Sequence, residues 1–370
     1  MNLGRFHAAV YSITEEYGEG SIIEHLNNAL AALQQSVAQP NAPANAEAFK
    51  LHLSNLNQSL RSAPSNLAIP TLRKIYEEIG ATDKIGIGLL DRIDNELSTN
   101  NFTPSLAVAG LQEIIRDVTT FNQYISQINI AFSELEIEFD QLDEGAVEIG
   151  ISLPRGIVGE EIGSLERELH KMSIAFKGLK EVAGDDAADM RVSSISASEW
   201  QFFLESAPAT ALLLSAALER IVALYKTNLE IKILKKQLED KELPETVTQP
   251  LKEYIDDHIK EEMQKIAGEL VSEFYKGDGD GRENELRTHL TSSLTYIGER
   301  IEKGASIEAR AEPPSEQDED GEPIKLNAAQ KKLASDIREI NSRMENVVHT
   351  QALEGRPLML GVDAEEPPEE

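Results

Sequence analysis

Few side chains in this sequence are spaced to exchange protons, hold a metal or cradle a phosphate. The seven histidines, His7, His25, His52, His170, His258, His289 and His349, never fall within one helical turn of one another. No local two-histidine metal motif exists, therefore. His258 and Glu262 stand four residues apart and could supply two ligands of a composite site, but a solvated, charged helix face is the reading adopted. Asp278-Gly279-Asp280-Gly281 suits a hard cation, which takes carboxylate oxygens in a tight turn. An EF-hand loop begun at Asp278 would place Arg282 at its fifth position and His289 where a bidentate glutamate is needed. A turn between helices is expected there instead.

Phosphate and nucleophile chemistry fare no better. Gly156, Gly159 and Gly163 match neither phosphate-cradling fingerprint, and no P-loop frame or nucleophile elbow occurs. Lys226, Lys232, Lys235 and Lys236 form the one basic cluster, and Glu219, Glu230, Glu239 and Asp240 interleave with it, which favours internal ion pairing. Trp200, Phe202 and Phe203 lie together and are expected to anchor a core. With no cysteine, thiolate catalysis, disulfides and cysteine-held zinc are excluded. No catalytic residue, cofactor or metal ligand is assigned, and the chain is expected not to be an enzyme.

Composition points the same way. Acidic residues outnumber basic ones 65 to 35, for a net charge of −30 over 370 residues. That field disfavours nucleic acid or anionic lipid as a partner over the whole surface. Hydrophobic residues at 41% are too many for a wholly disordered chain. The longest apolar run, Ala207 to Leu218, is short of the roughly 20 residues of a spanning helix. A cytoplasmic protein without a membrane segment is the expectation.

The elements that would position any site are mostly helices. Ile23, Leu26, Leu30, Leu33 and Val37 share one helical face, and Ser21 with Glu24 suggests a capping box. Pro40 and Pro43 break that helix; Phe49, Leu53, Leu56 and Leu60 resume the period. Short helices follow around Leu72–Ile79 and Ile85–Leu97, then a longer one from Thr103-Pro104 through Ile128. Residues 1–132 thus read as a helical bundle. The weakly charged stretch from Ser36 to Pro70 could form a partner-binding face, but helices buried on more than one side are the reading adopted.

After Ser133 the period changes. Leu135, Ile137 and Phe139 alternate with acids, and Val147, Ile149, Ile151 and Leu153 alternate after the turn residues Asp143-Glu144-Gly145. This predicts a β-hairpin. Arg191–Ser196 and Ile307–Ala311 are further strand candidates. Helical stripes run through Leu165–Leu179, Leu214–Leu238, Leu251–Phe274 and Leu286–Ile301, so residues 133–312 read as an α+β domain with long helices. The runs Arg191-Val192-Ser193-Ser194-Ile195-Ser196, Ala207-Pro208-Ala209-Thr210-Ala211-Leu212-Leu213-Leu214 and Ile221-Val222-Ala223-Leu224-Tyr225-Lys226 resemble a group of uncharacterised bacterial proteins over residues 133–312. What this resemblance implies is a bacterial source and a role in conflict or defence.

Residues 313–326 read as an acidic linker, 327–352 as a C-terminal helix, and 353–370 as an acidic disordered tail. Leu333, Ile337, Ile340 and Met344 step along one narrow seam. They are expected to dock on a second copy or a partner. The fold class is therefore mainly α with a small α+β part, and the function expected is a non-enzymatic scaffold or interaction protein, homo-oligomeric or a subunit of a complex. The alternative is a regulatory or effector subunit of a bacterial defence system whose enzyme is a separate chain.

Overall fold

The computed structural model describes residues 2–19, 21–100, 102–159, 161–184, 190–196, 200–239, 245–277, 280–315 and 324–352. The chain divides into two compact units, Met1–Gln141 and Leu142–Glu370.

The first unit is a bundle of α1 (Leu3–Glu19), α2 (Ile22–Ala38), α3 (Pro43–Arg61), α4 (Pro70–Glu78), α5 (Gly86–Thr99) and α6 (Pro104–Glu134), with a 3-10 turn at Pro64–Leu67. Proline starts α3, α4 and α6, where its missing N–H is not needed. Ile13, Ile22, Leu26, Leu56, Leu60 and Leu89 are fully buried at its centre. The capping box expected at Ser21 does not form: Ser21 is left-handed, with φ 46°, and makes no side-chain cap. Instead Glu16, buried on α1, accepts the Gly86 N–H at 2.8 Å and the Ser65 N–H at 3.3 Å, so a carboxylate from another helix sits at the start of α5. Burial pushes the Glu16 carboxyl up against those hydrogen bonds.

The alternating segment Leu135–Phe139 is not a strand. Helix α6 ends there in a Schellman motif, with the Ile137 N–H donating to the Phe132 carbonyl at 3.0 Å and the Glu136 N–H to the Ser133 carbonyl at 3.2 Å. Glu136 takes the left-handed position, φ 53°, that glycine more often fills. Ile137 and Phe139 then fold back on α1, where the buried His7 ring hydrogen-bonds the Ile137 carbonyl through Nδ1 at 2.6 Å and packs on the Phe139 ring. Their period of two reports a cap and its hydrophobic return, so the predicted hairpin is corrected. Residues 133–141 belong to the first unit.

The second unit holds a four-stranded antiparallel sheet of order β2-β3-β1-β4, made of β1 (Val147–Leu153), β2 (Arg191–Ser196), β3 (Trp200–Glu205) and β4 (Ser306–Ala311). Strand β1 pairs with β3, Ile151 opposite Phe202, and with β4, Ile151 opposite Ile307. The candidates Arg191–Ser196 and Ile307–Ala311 are both strands of this sheet; β3 was not foreseen. Its helices are α7 (Arg155–Val158), α8 (Ile162–Ala183), α9 (Pro208–Glu239), α10 (Glu245–Phe274), α11 (Asp280–Glu302) and α12 (Ala328–Ala352). Val147, Ile149, Ile151 and Leu153 join Phe202, Leu204, Ile307 and Ala309 in one core with these helices. On the opposite sheet face Glu148 accepts from Arg310 Nη2 at 2.8 Å, across the strand register. Glycine stands at position 150 because a Cβ there would lie 2.8 Å from Glu308 Cγ on the facing strand.

The span Pro208–Thr227 is long and apolar enough by composition to cross a membrane, longer than the run read from the sequence. It forms the middle of this core, with Ala211, Leu214, Ala217, Leu218 and Ile221 essentially without exposure.

Helix α12 packs on α9 and β4 of its own chain. Ile337 and Ile340 are fully buried, Met344 is 3% exposed, and Leu333 packs against the same core. Asn341 Nδ2 also donates to the Ala311 carbonyl at 3.0 Å. The seam expected to await an outside partner is filled from within: a narrow stripe of four side chains needs an apolar surface, and α9 supplies one. The tail 353–370 lies outside the described residues. Truncating Ile340→Ala should therefore cost about 2–5 kcal/mol, the range for a buried isoleucine. Urea unfolding of the full chain reads this as a lowered midpoint for the second unit; an unchanged midpoint would mean that the helix is not core.

Candidate functional site

Helices α8 and α11 pack side by side in the second unit, and each carries one charged residue on its apolar stripe. Glu168 lies between Leu165 and Met172 on α8; Arg300 lies between Ile297 and Ile301 on α11. Both are buried, at 6% and 7% exposure, and they meet. Arg300 donates to Glu168 through Nε to Oε1, and through Nη2 to Oε2 at 2.9 Å. Tyr296 donates its hydroxyl to Glu168 Oε1 at 2.8 Å, and the Arg300 guanidinium lies 4.7 Å from the Tyr296 ring centroid. A bidentate fork of this kind satisfies two buried charges at once.

The electrostatics follow from this geometry. Burial works to raise the Glu168 carboxyl, but the Arg300 and Tyr296 hydrogen bonds and the Arg300 charge outweigh it and hold it below the usual carboxylate range. The Glu168 hydrogen bond raises Arg300. Burial first, then the bond to the neighbouring carboxylate, pushes the Tyr296 phenol up. All three groups are locked in their ordinary charge states near neutrality, which suits a structural clamp better than proton transfer.

Toward the other end of the same helix pair a half-open groove of about 470 Å³ opens. Its floor exists because α8 and α11 approach closely at Gly178, where a Cβ would lie 2.5 Å from Ser293 Oγ. Ile174 stands in it at 58% exposure, with Lys171 and Lys177 one turn to either side on α8. From α11 come His289, Ser292, Ser293 and Tyr296. The hydroxyls are engaged: Ser293 Oγ donates to the His289 carbonyl at 3.1 Å, and Ser292 Oγ to the Thr288 carbonyl at 3.2 Å. The His289 ring faces Glu181, Nδ1 to carboxylate 3.8 Å, and Arg282 reaches the same carboxylate at 3.4 Å. Serine and histidine are neighbours here without the hydroxyl-to-imidazole bond that would activate a nucleophile. What the groove offers is apolar surface edged by two ammonium groups on the α8 side, with the Glu181 carboxylate engaged by Arg282 and His289.

The residues singled out in the sequence lie elsewhere. Among the described residues no group of three or more histidine, aspartate or glutamate side chains is placed to hold a metal. Glu262 pairs with Lys265 at 3.3 Å, one turn along α10. Asp278 and Gly279 of the candidate cation turn lie outside the described residues, as do the side chains of Lys232, Lys235 and Lys236. Phe202 and Phe203 are buried at 2% and 1%, and Trp200 packs partly buried on the core, as core anchors should. The Glu168–Arg300 clamp was missed. Its signal was present as one charge of each sign set into two apolar stripes, but their separation of 132 residues hid the pairing.

Comparison with protein-family models, curated proteins and solved structures gives no match.

Replacing Glu168 by Gln removes the close counter-charge of the buried Arg300 cation and leaves only the longer contact to Glu299, 3.6 Å, at an expected cost of about 3 kcal/mol at pH 7. A depressed carboxyl contributes stability above its unfolded value, 4.5, and loses it as pH falls through the lower folded value. Urea midpoints of wild type and E168Q should therefore converge as the buffer is acidified below about pH 4. A gap independent of pH would contradict the ion-pair account.

Proposed function

We propose that this chain is a non-enzymatic interaction protein that holds a partner protein in the groove between α8 and α11. The observation that carries this reading is Ile174: a large apolar side chain more than half exposed, set between Lys171 and Lys177 in a protein of net charge −30. Elsewhere that charge repels acidic partners at long range. At this groove Lys171 and Lys177 stand beside Ile174, and the one carboxylate of the lining, Glu181, is met by Arg282 and His289, so the fitting partner is an amphipathic helix with an apolar anchor and carboxylates one turn away. The anchor would displace water from Ile174, and the carboxylates would meet the lysines at the rim. Charge at the rim sets encounter and orientation, while the buried anchor supplies most of the affinity.

Panning a displayed library of helical peptides against the full chain tests the reading. Selected peptides should share an apolar anchor flanked by Asp or Glu, and Ile174→Asp should weaken them by at least about tenfold, which is 1.4 kcal/mol. The circular dichroism of the variant should match wild type, because Ile174 is exposed. Absence of enrichment, or equal binding to the variant, would contradict the groove as a partner site.

A further inference from the structure

The two edge strands of the sheet are finished differently. Strand β4 carries Glu308 and Arg310, is followed by Pro313 and Pro314, and has its last carbonyl, Ala311, bonded by Asn341 of α12. These are the usual guards of a sheet edge. Strand β2, Arg191-Val192-Ser193-Ser194-Ile195-Ser196, has no acid, lysine or proline, and among the described residues it pairs only with β3. Its Val192 and Ile195 are 56% and 59% exposed.

A bulge accounts for how those two side chains lie. Val192 is opposite Leu204 and Ile195 opposite Phe202, with the register shifting between Val192 and Ser194. Without the extra residue, positions 192 and 195 would point to opposite faces. With it, both share the face of Leu204 and Phe202, whose own side chains are buried. Ser193, the extra residue, is tied inward: its hydroxyl contacts the Phe203 carbonyl at 2.9 Å and Glu148 Oε2 at 3.0 Å. The bulge leaves an apolar pair at the edge of the core face.

We infer that β2 pairs antiparallel with β2 of a second copy of this chain, joining two sheets across a two-fold axis between Ser193 and Ser194. A two-fold contact brings one patch against itself, so the strand must be self-complementary. It is. About that midpoint Val192 faces Ile195 of the other copy, Ser193 faces Ser194, and Arg191 faces Ser196. The four exposed apolar side chains form one patch on one face, while on the other face the Ser193 hydroxyls stay turned inward to the Phe203 carbonyl and Glu148. Arg191 is the strand's only charge. The two copies of it would sit at opposite ends, about 17 Å apart at 3.3 Å per residue, beyond a Debye length of about 8–10 Å. Within residues 191–196 the edge carries no carboxylate, so the paired segment itself adds no acid-to-acid repulsion in a molecule of net charge −30. A strand pair alone is small for an interface, so the dimer should be weak. The inference does not depend on the α8–α11 groove.

The register gives the test, and the chain's lack of cysteine makes any introduced thiol unique. Full-length Val192→Cys and Ile195→Cys variants are oxidised separately and as an equal mixture, at about 100 µM and physiological salt. Facing cross-strand residues lie within disulfide reach, and pairing raises their effective concentration to the millimolar range. The 192–195 disulfide should therefore form about tenfold faster in the mixture than either variant links to itself. Ile195→Lys in the Val192→Cys chain should remove the difference. Both positions are exposed, so circular dichroism should match wild type throughout. Equal rates in all three samples, faster self-linking of one variant, or a strictly monomeric wild-type chain in sedimentation at that concentration would overturn the proposal.

Discussion

The second unit depends on the burial of one helix. The first half of α9 is buried almost all round, with only Glu219 and Arg220 carrying charge: Leu213, Leu214, Ala216, Ala217, Leu218, Ile221 and Val222 are all at or near zero exposure. Such a helix cannot rest on one neighbour, and a single apolar layer would leave most of it in water. The unit supplies β1 and β4, with α8, α10, α11 and α12 around it. Each large side chain that α12 adds is worth about 1.5–3 kcal/mol of burial before ordering entropy is subtracted. That is why α12 is held to the body, although a stretch rich in Pro, Glu and Asp precedes it.

Charge is handled inside this apolar framework by pairing. Glu168 with Arg300 joins α8 to α11, and Glu148 with Arg310 joins β1 to β4. Arg343 of α12 reaches Glu219 of α9 at 2.9 Å. A buried pair such as Glu168–Arg300 adds little net stability compared with apolar residues of the same size, but breaking it is costly. Its use is to fix which helix lies beside which. The groove and the β2 edge depart from that rule, since each leaves apolar side chains in water, and both readings of function rest on those departures.

Much of the fold was legible in the sequence, and the failures have definite causes. Helical stripes such as Leu286, Leu290, Leu294 and Ile297 report a buried face directly, and Val147–Leu153 reports a strand buried on its Val147, Ile149, Ile151 and Leu153 face. Leu135, Ile137 and Phe139 misled because an apolar return after a helix cap has the same spacing as a strand. The Leu333–Met344 seam was read correctly as a helix face; what the sequence could not say was that the surface receiving it lay over a hundred residues upstream in the same chain. Strand β3 was hidden because Trp200-Gln201-Phe202-Phe203-Leu204 does not alternate: Phe203 is buried on one sheet face while Phe202 and Leu204 are buried on the other. The groove was illegible for a simpler reason. It exists only where Gly178 lets two helices approach.

The claim that one buried helix organises the second unit is tested most directly by native-state hydrogen exchange on the full chain. The account expects the amides of Ala211–Tyr225, of β1 and of Ala334–Val347 to exchange slowest and to open together, with one common free energy and one common dependence on denaturant. If 334–347 exchanges at the rate of an isolated helix while Ala211–Tyr225 stays protected, α12 is an arm after all, and the core described here is wrong.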